Sequence, residues 1–394
     1  MVPLPDEQLS LDVLASETIT QDSSPPPEVG ALTELIRKGY TNGRRPLFIL
    51  GAGISFGQVP LLSDIGMWLK EQLSQLITKE SDLWSDDSWM VEHAALLGEG
   101  QAGRRQTAEL FTSLQTGAKH AQDVWRTFSA AFLKSDTPWP KIAFRGVASA
   151  VSTPAHAHLA DLLLLNKARI VSLNFDGLTI QAAKELYKKD PSNYPTKGAI
   201  SLHSESDLFH YFATSAYEVP AAVVKIRGDV FYATCKSETC PGHRSPLPIE
   251  RVIGNHKEDQ DSLICPICQQ DSLVLTFSFP GFRKKEELAH PMLWAFRRFV
   301  AANTACVICI GFSGKWDKYL LDFLFDMCSE REIPLVDVRP PDQHDHNLFD
   351  DFRSSYFPNC PAVPEKQLER HTSYTRILSE ADPFMHEMHH HLTK

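Results

Sequence analysis

Five short apolar runs, each closed by glycine, proline or a polar turn, constrain this chain more than any other feature. They read RPLFILGAG (45–53), RIVSLNFDGL (169–178), AAVVKIRGDV (221–230), TACVICIGFSG (304–314) and IPLVDVRPP (333–341). Each is too short for a buried helix and too uniformly apolar for a strand with one wet face. Each therefore reads as a strand buried on both sides, the kind found in parallel sheets. Between them lie stretches with helical spacing. Val29, Leu32, Leu35 and Ile36 recur over residues 28–38. Ile65, Trp68, Leu69, Leu73 and Ile77 recur after Ser63, a residue type suited to an N-cap. AHAHLADLLLLNKA (155–168) and KWDKYLLDFLFDMCSE (315–330) read as helices too. Strands alternating with helices imply an α/β fold, a Rossmann-like parallel sheet covered by helices.

The rest of the chain divides around this frame. Residues 1–28 are polar and end in three prolines, which reads as a flexible tail with one short helix near Leu9–Ala15. Residues 29–340 form the α/β domain. It contains a helical insert over 80–150 and a small module over 229–280 that carries four paired cysteines. Trp84, Trp89 and Trp125 of the insert read as core residues, and the FRKKEE run (282–287) as solvated surface. WAFRRFV (294–300) is amphipathic, suited to the core or to an oligomer contact. Residues 341–394 form a C-terminal extension rich in His, Pro and charge, and its end, MHHHLTK, reads as a solvated tail.

The formal net charge of −10 argues against nucleic-acid binding through bulk positive charge. No apolar run approaches the roughly 20 residues of a membrane span. The first 25 residues lack a basic segment followed by an apolar one, so a cytoplasmic location is expected.

Eight cysteines stand at 235, 240, 265, 268, 306, 309, 328 and 360. Cys235 and Cys240 are separated by four residues, Cys265 and Cys268 by two, and 24 residues lie between the pairs. Two close thiol pairs suit a tetrahedral Zn²⁺ with all four positions filled, hence a structural ion. His243 and His256 lie between the pairs as alternative ligands. Cys306 and Cys309 face opposite sides of one strand and read, with Cys328, as small core residues.

The turn GAGIS after the first strand offers a second kind of chemistry. Gly51 and Gly53 permit close backbone approach, and a strand–turn–helix junction presents N–H groups to phosphate. The spacing falls short of the usual dinucleotide fingerprint, and a purely structural turn fits it as well. Two further strand ends point to the same place: SLNFDG, with Asn174 and Asp176, and GFSG, with Gly311 and Ser313. In open parallel sheets ligands bind outside the carboxyl ends of the strands. Asn174 and Asp176 are suited to a ribose hydroxyl, a water or a carboxamide. An Asx-type turn is the competing reading for both.

In order along the chain, GAGIS, TPAHAHLADLLLLNKARIVSLNFDGL, VVKIRGDVFYATC, CPICQQDSLVLTFSFPG and IGFSGKWD resemble the sirtuin family of NAD-consuming proteins over about residues 45–340. The resemblance implies an NAD site built from Gly51, Ala52, Gly53, Ser55, Asn174, Asp176, Gly311 and Ser313. It also implies a structural zinc on Cys235, Cys240, Cys265 and Cys268. His156 matches a helix histidine with a packing role.

Two departures bear on activity. Family deacylases carry an Asp-Phe-Arg segment after the glycine loop, whereas this chain reads SFGQVPLLSDIGMWL (55–69). That loop resembles divergent bacterial members, NAD hydrolases of antiphage defence. They act as homo-oligomers or with a partner such as a translocase-type ATPase or an Argonaute-type protein. Arg227 also stands where the family carries its general-base histidine, and a guanidinium cannot accept a proton. His203 and His210 are nearby in sequence as substitutes. The resemblance thus implies hydrolysis of NAD to nicotinamide and ADP-ribose with Asn174, Asp176 and Arg227 at the reacting centre. An NAD or ADP-ribose sensor, an inactive variant and, less well matched, a lysine deacylase remain open at this point.

Overall fold

The computed structural model describes residues 27–55, 58–59, 150–203, 205–213, 221–228, 232–235, 237–244, 247–248, 265–270, 273–275, 290–312, 318–343, 348 and 374–394. Most of the N-terminal tail, the helical insert with its three tryptophans, the FRKKEE run, His256 and Ser313 lie outside these residues.

The described chain starts with helix α1 (Pro27–Thr41), which has proline at its first position and Glu28 in its first turn. It enters strand β1 (Arg45–Leu50) and a 3₁₀ turn (Ala52–Ser55). Then come α2 (Pro154–Leu164), β2 (Arg169–Ser172), α3 (Leu178–Lys189), β3 (Ile200–Leu202), α4 (Glu205–Ala213) and β4 (Ala222–Lys225). Short strands β5 (Tyr232–Cys235), β6 (Leu247–Pro248) and β7 (Leu273–Leu275) follow. The chain ends with α5 (His290–Asn303), β8 (Thr304–Ile310), α6 (Lys318–Arg331), β9 (Leu335–Arg339), β10 (Tyr374–Leu378) and α7 (Ala381–Thr393).

Seven strands form one sheet in the order β10-β9-β8-β1-β2-β4-β3, and every pairing in it is parallel. All five apolar runs are strands of this sheet. Their side chains alternate between two cores. On one face Leu47, Ile49, Val171, Val224, Val307 and Cys309 pack against α4, α5 and α6. On the other Phe48, Leu50, Ile170, Val223, Cys306 and Ile308 pack against α1, α2 and α7. Cys306 and Cys309 are fully buried on opposite faces, and Cys328 is buried on α6. In α5, Phe296 and Phe299 enter the core while Trp294 remains exposed. Strands β6-β5-β7 form a separate antiparallel sheet, and the four paired cysteines cluster beside β5.

The chain's end departs from the solvated tail expected of it. Strand β10 pairs with β9 at one edge of the sheet, and α7 packs on α2 and α1. Phe384, Met388 and Leu392 recur every four residues and are buried, together with Met385. The histidines interleaved with them hide this apolar stripe.

Candidate functional site

Strands β1 and β8 are neighbours, yet the chain leaves β1 toward β2 on one side and later returns to β8 on the other. This is the switch point at which open parallel sheets form a crevice. The turns after these two strands touch backbone to backbone. Gly51 N–H donates to Ile310 O (2.9 Å), and Gly53 N–H donates to Gly311 O (3.1 Å). A Cβ on Gly51 would lie 2.3 Å from Gly311 O. A Cβ on Gly311, whose φ is +61°, would lie 2.4 Å from Gly53 Cα. The glycines therefore serve first to let the two turns meet, and the N–H groups of Gly51 and Gly53 are already used. Ala52, between them, is exposed toward solvent.

Ser55 is the hub of a buried polar network at this edge. Its Oγ–H donates to Asp176 Oδ2 (3.0 Å), and its oxygen lies 3.2 Å from His156 Nε2 and 3.4 Å from Asn174 Nδ2. Thr153 N–H donates to His156 Nδ1 (3.3 Å), which makes Nδ1 the acceptor and places the ring proton on Nε2. Burial, opposed by the charge of Asp176, holds the His156 pKa below its usual value, so the ring is neutral near pH 7. Ser55 Oγ thus accepts from His156 and Asn174 and gives its own proton to Asp176. A hydroxyl bound in this way is a structural tie and not a primed nucleophile.

Asn174 and Asp176 reach this network from the end of β2. Asn174 Nδ2 also donates to Gly51 O (3.0 Å), which fastens the two turns together. Asp176 Oδ1 accepts from Leu178 N–H (3.2 Å) at the start of α3. The Asx-type turn and the polar network are therefore both present, made by different oxygens of one carboxylate. Among the described residues Asn174 Oδ1 has no protein partner.

Lys225 closes the arrangement from below. It is 1% exposed at the end of β4, and its ammonium donates to Asn174 O (2.6 Å) and to Asp176 O. The Asn174–Asp176 turn is thus held by a buried cation through its backbone. Lys225 carries no motif that marks it in the sequence, and His156 reads there as a packing residue.

Arg227 lies two residues beyond Lys225 at the same edge, and it is buried. Gly228, at φ +77°, donates its N–H to Lys225 O (3.0 Å), which makes a tight turn there. His203 follows β3, whose Leu202 pairs with Val224, and its ring centre lies 4.2 Å from that of Tyr232. His210 is exposed on α4. At the end of β9, Arg339 is buried and donates to Asp337 Oδ2 (2.8 Å) and to Phe312 O (3.4 Å), which braces the β8 turn.

The four paired cysteines converge. Their sulfurs all lie within 4.8 Å of one another, with Cys235–Cys268 at 3.6 Å and Cys240–Cys265 at 3.8 Å. Zn–S bonds of about 2.3 Å at tetrahedral angles require sulfurs roughly 3.8 Å apart, so these thiols fit a zinc ion. His243 instead pairs with Cys235 O through Nδ1 (2.8 Å). Gly242 N–H donates to Cys240 Sγ (3.4 Å), as the amides around metal-bound thiolates do. No helix among the described residues is long and apolar enough to cross a membrane.

No protein-family model matches the chain, nor does any curated protein. It is similar to three solved structures of single-substitution variants of a Sir2 homologue bound to ADP-ribose. The identities are 12%, 13% and 12%, and the TM-scores 0.46, 0.45 and 0.44. The matches cover 92%, 92% and 91% of this chain and 96% of each of theirs. At such identity and score the likeness carries no functional argument.

Proposed function

We propose that this chain is a sirtuin-like protein that binds NAD in the crevice between the β1 and β8 turns. There it cleaves the nicotinamide–ribose bond with water. The observation that carries the reading is the convergence of Ser55, Asn174, Asp176 and His156 on one buried network at the switch point. Gly51, Ala52, Gly53 and Gly311 form the pyrophosphate and ribose side of that site, to which the resemblance adds Ser313, outside the described residues.

In the reaction a water oxygen bonds to the ribose C1′ as the bond from C1′ to the nicotinamide nitrogen breaks. Neutral nicotinamide leaves, and the water's proton passes to solvent. Asn174 Oδ1 accepts a hydrogen bond from that water and aims it. Asp176 binds the carboxamide and keeps the nicotinamide turned out of conjugation. Its negative charge also favours the oxocarbenium-like transition state.

Arg227 acts in the other direction. A guanidinium near the ribose opposes the growing positive charge, yet it suits the diphosphate of NAD or of ADP-ribose. It supports slow turnover and firm product binding. It also favours a second reading, in which the chain senses NAD or ADP-ribose without consuming it. The resemblance extends the proposal to an antiphage effector that works as a homo-oligomer or with a defence partner such as a translocase-type ATPase.

The test is nicotinamide release from NAD, measured with and without that partner, alongside NAD binding by calorimetry. Release with binding supports the hydrolase. Binding without release moves the assignment to the sensor, and a gain of turnover in Arg227→His would trace the block to that one side chain.

A further inference from the structure

Helix α5 has two faces. Ala295, Phe296, Phe299 and Val300 enter the core, whereas Trp294, Arg297, Arg298, Ala301 and Ala302 recur at helical spacing on the other side. With Arg331, at the end of α6, these five residues line a hollow of about 330 Å³. Its lining supplies one indole, two methyl groups and three guanidinium groups, and no carboxylate. We propose that this hollow binds a nucleotide, with the base stacked on Trp294 and the phosphates held by Arg298 and Arg331.

Each part of the lining suits one part of such a ligand. Trp294 is 54% exposed, so its indole is open to a flat ring. The Arg298 guanidinium lies over that indole, 4.8 Å from the ring centre, which sets a cation beside the stacking surface. Arg297 is bound to Glu330 of α6 and ties the two helices together at the hollow. Arg298 and Arg331 are exposed, and among the described residues neither has a carboxylate partner. In a chain of net charge −10, two such groups side by side make a local site for an anion. Guanidinium groups grip phosphate oxygens with paired N–H donors. A bare phosphate has no use for the indole, whereas a base does. The volume stands at the lower end of small-molecule sites, with room for one nucleotide. No amide or carboxylate side chain lines the hollow to read a base edge, so stacking there tolerates any base.

The hollow is separate from the crevice. Ala301, Ala302 and Arg331 sit where α5 and α6 lead into the amino ends of β8 and β9. The crevice lies beyond the carboxyl ends, and β8 alone spans seven residues, about 23 Å. A nucleotide in the hollow is therefore a second ligand, and its binding does not depend on NAD cleavage.

The test titrates GDP into the full chain by calorimetry. One saturable equivalent is expected that Trp294→Ala weakens about tenfold, as loss of one stacked base does, and Arg331→Gln by a similar factor. UDP should bind comparably, and inorganic pyrophosphate clearly more weakly. Both substituted residues are exposed, and circular dichroism checks that the variants fold. Lys188→Gln, which removes an exposed cation on α3, should leave binding unchanged. The proposal fails if GDP does not bind, or if its binding survives either Trp294→Ala or Arg331→Gln. It fails equally if pyrophosphate binds as tightly as GDP, since the indole then plays no part. Binding of a single-stranded oligonucleotide without binding of GDP would overturn it in favour of a nucleic-acid surface.

Discussion

Replacing Gly311 with alanine should damage the protein far more than loss of one hydrogen atom suggests. The added Cβ would lie 2.4 Å from Gly53 Cα, 2.5 Å from Ile54 N and 2.6 Å from Gly53 C. All three are backbone atoms, so no rotamer change relieves them. Carbon contacts settle near 3.5–4.0 Å, so the β1 and β8 turns must part by about 1 Å. The residue also sits at φ +61°, where alanine pays about 1–2 kcal/mol. Parting the turns strains the hydrogen bonds from Gly51 to Ile310 and from Gly53 to Gly311, at about 1 kcal/mol each. The sum is roughly 3–4 kcal/mol of stability, with NAD affinity lost as the crevice changes shape. Gly30→Ala is the control. Nothing lies within 4 Å of a Cβ there, and the position is inside α1, so it should stabilise by up to about 1 kcal/mol. Urea denaturation of the three proteins, with NAD calorimetry, is the assay. An unchanged midpoint and undiminished NAD affinity in Gly311→Ala would refute the claim that the two turns need glycine in order to meet.

Other changes should act on separate parts of the structure. Chain ending after Ser379 removes Phe384, Met385, Met388 and Leu392 from the core, at about 1.5–3 kcal/mol each; that total rivals the whole stability of a domain, and the product should be insoluble on expression. The four-thiolate assignment predicts that Cys265→Ser carries about one equivalent of zinc per chain less than the wild type by metal analysis, and an unchanged content would remove that assignment. The His156 pKa is lowered by folding, so its contribution to stability is full above the free imidazole value of about 6.5 and declines as pH falls below it. Thermal midpoints from pH 7.5 to 5 should therefore drop, and His156→Asn should flatten the slope; identical slopes in both proteins would contradict a buried neutral ring.

How much of this was legible depends on where each residue's signal resides. Strands β1, β2, β4, β8 and β9 announce themselves because both faces are buried and most positions are apolar, with polar residues mainly at their ends. Strands β3 and β10 are partly exposed, and Ser201, Thr375 and Arg376 break any simple pattern. They become strands because β4 and β9 offer them open edges. Helix α7 was hidden by histidines that stand between its apolar residues. Asn174, Asp176, Gly51 and Gly311 were readable from their places at strand ends. His156 was not readable as a site residue, since its partner Ser55 is 101 residues away and nothing local marks the contact. Lys225 was missed for a similar reason. A lysine at a strand end normally reaches solvent, and only the fold turns this one toward two carbonyl groups. The glycine turn follows β1 as its sequence implies, and its Gly51 and Gly53 amides bond to the end of β8.

The central claim is that the Ser55–Asn174–Asp176 network serves NAD cleavage, and nicotinamide production by wild type and Asn174→Ala tests it most directly. With NAD bound by both proteins, the wild type should release one nicotinamide per NAD consumed, and Asn174→Ala should be slower by about 10²-fold or more, the scale of losing one positioned polar group at a reacting centre. Equal rates in the two proteins, or no release from the wild type while NAD is bound, would contradict it.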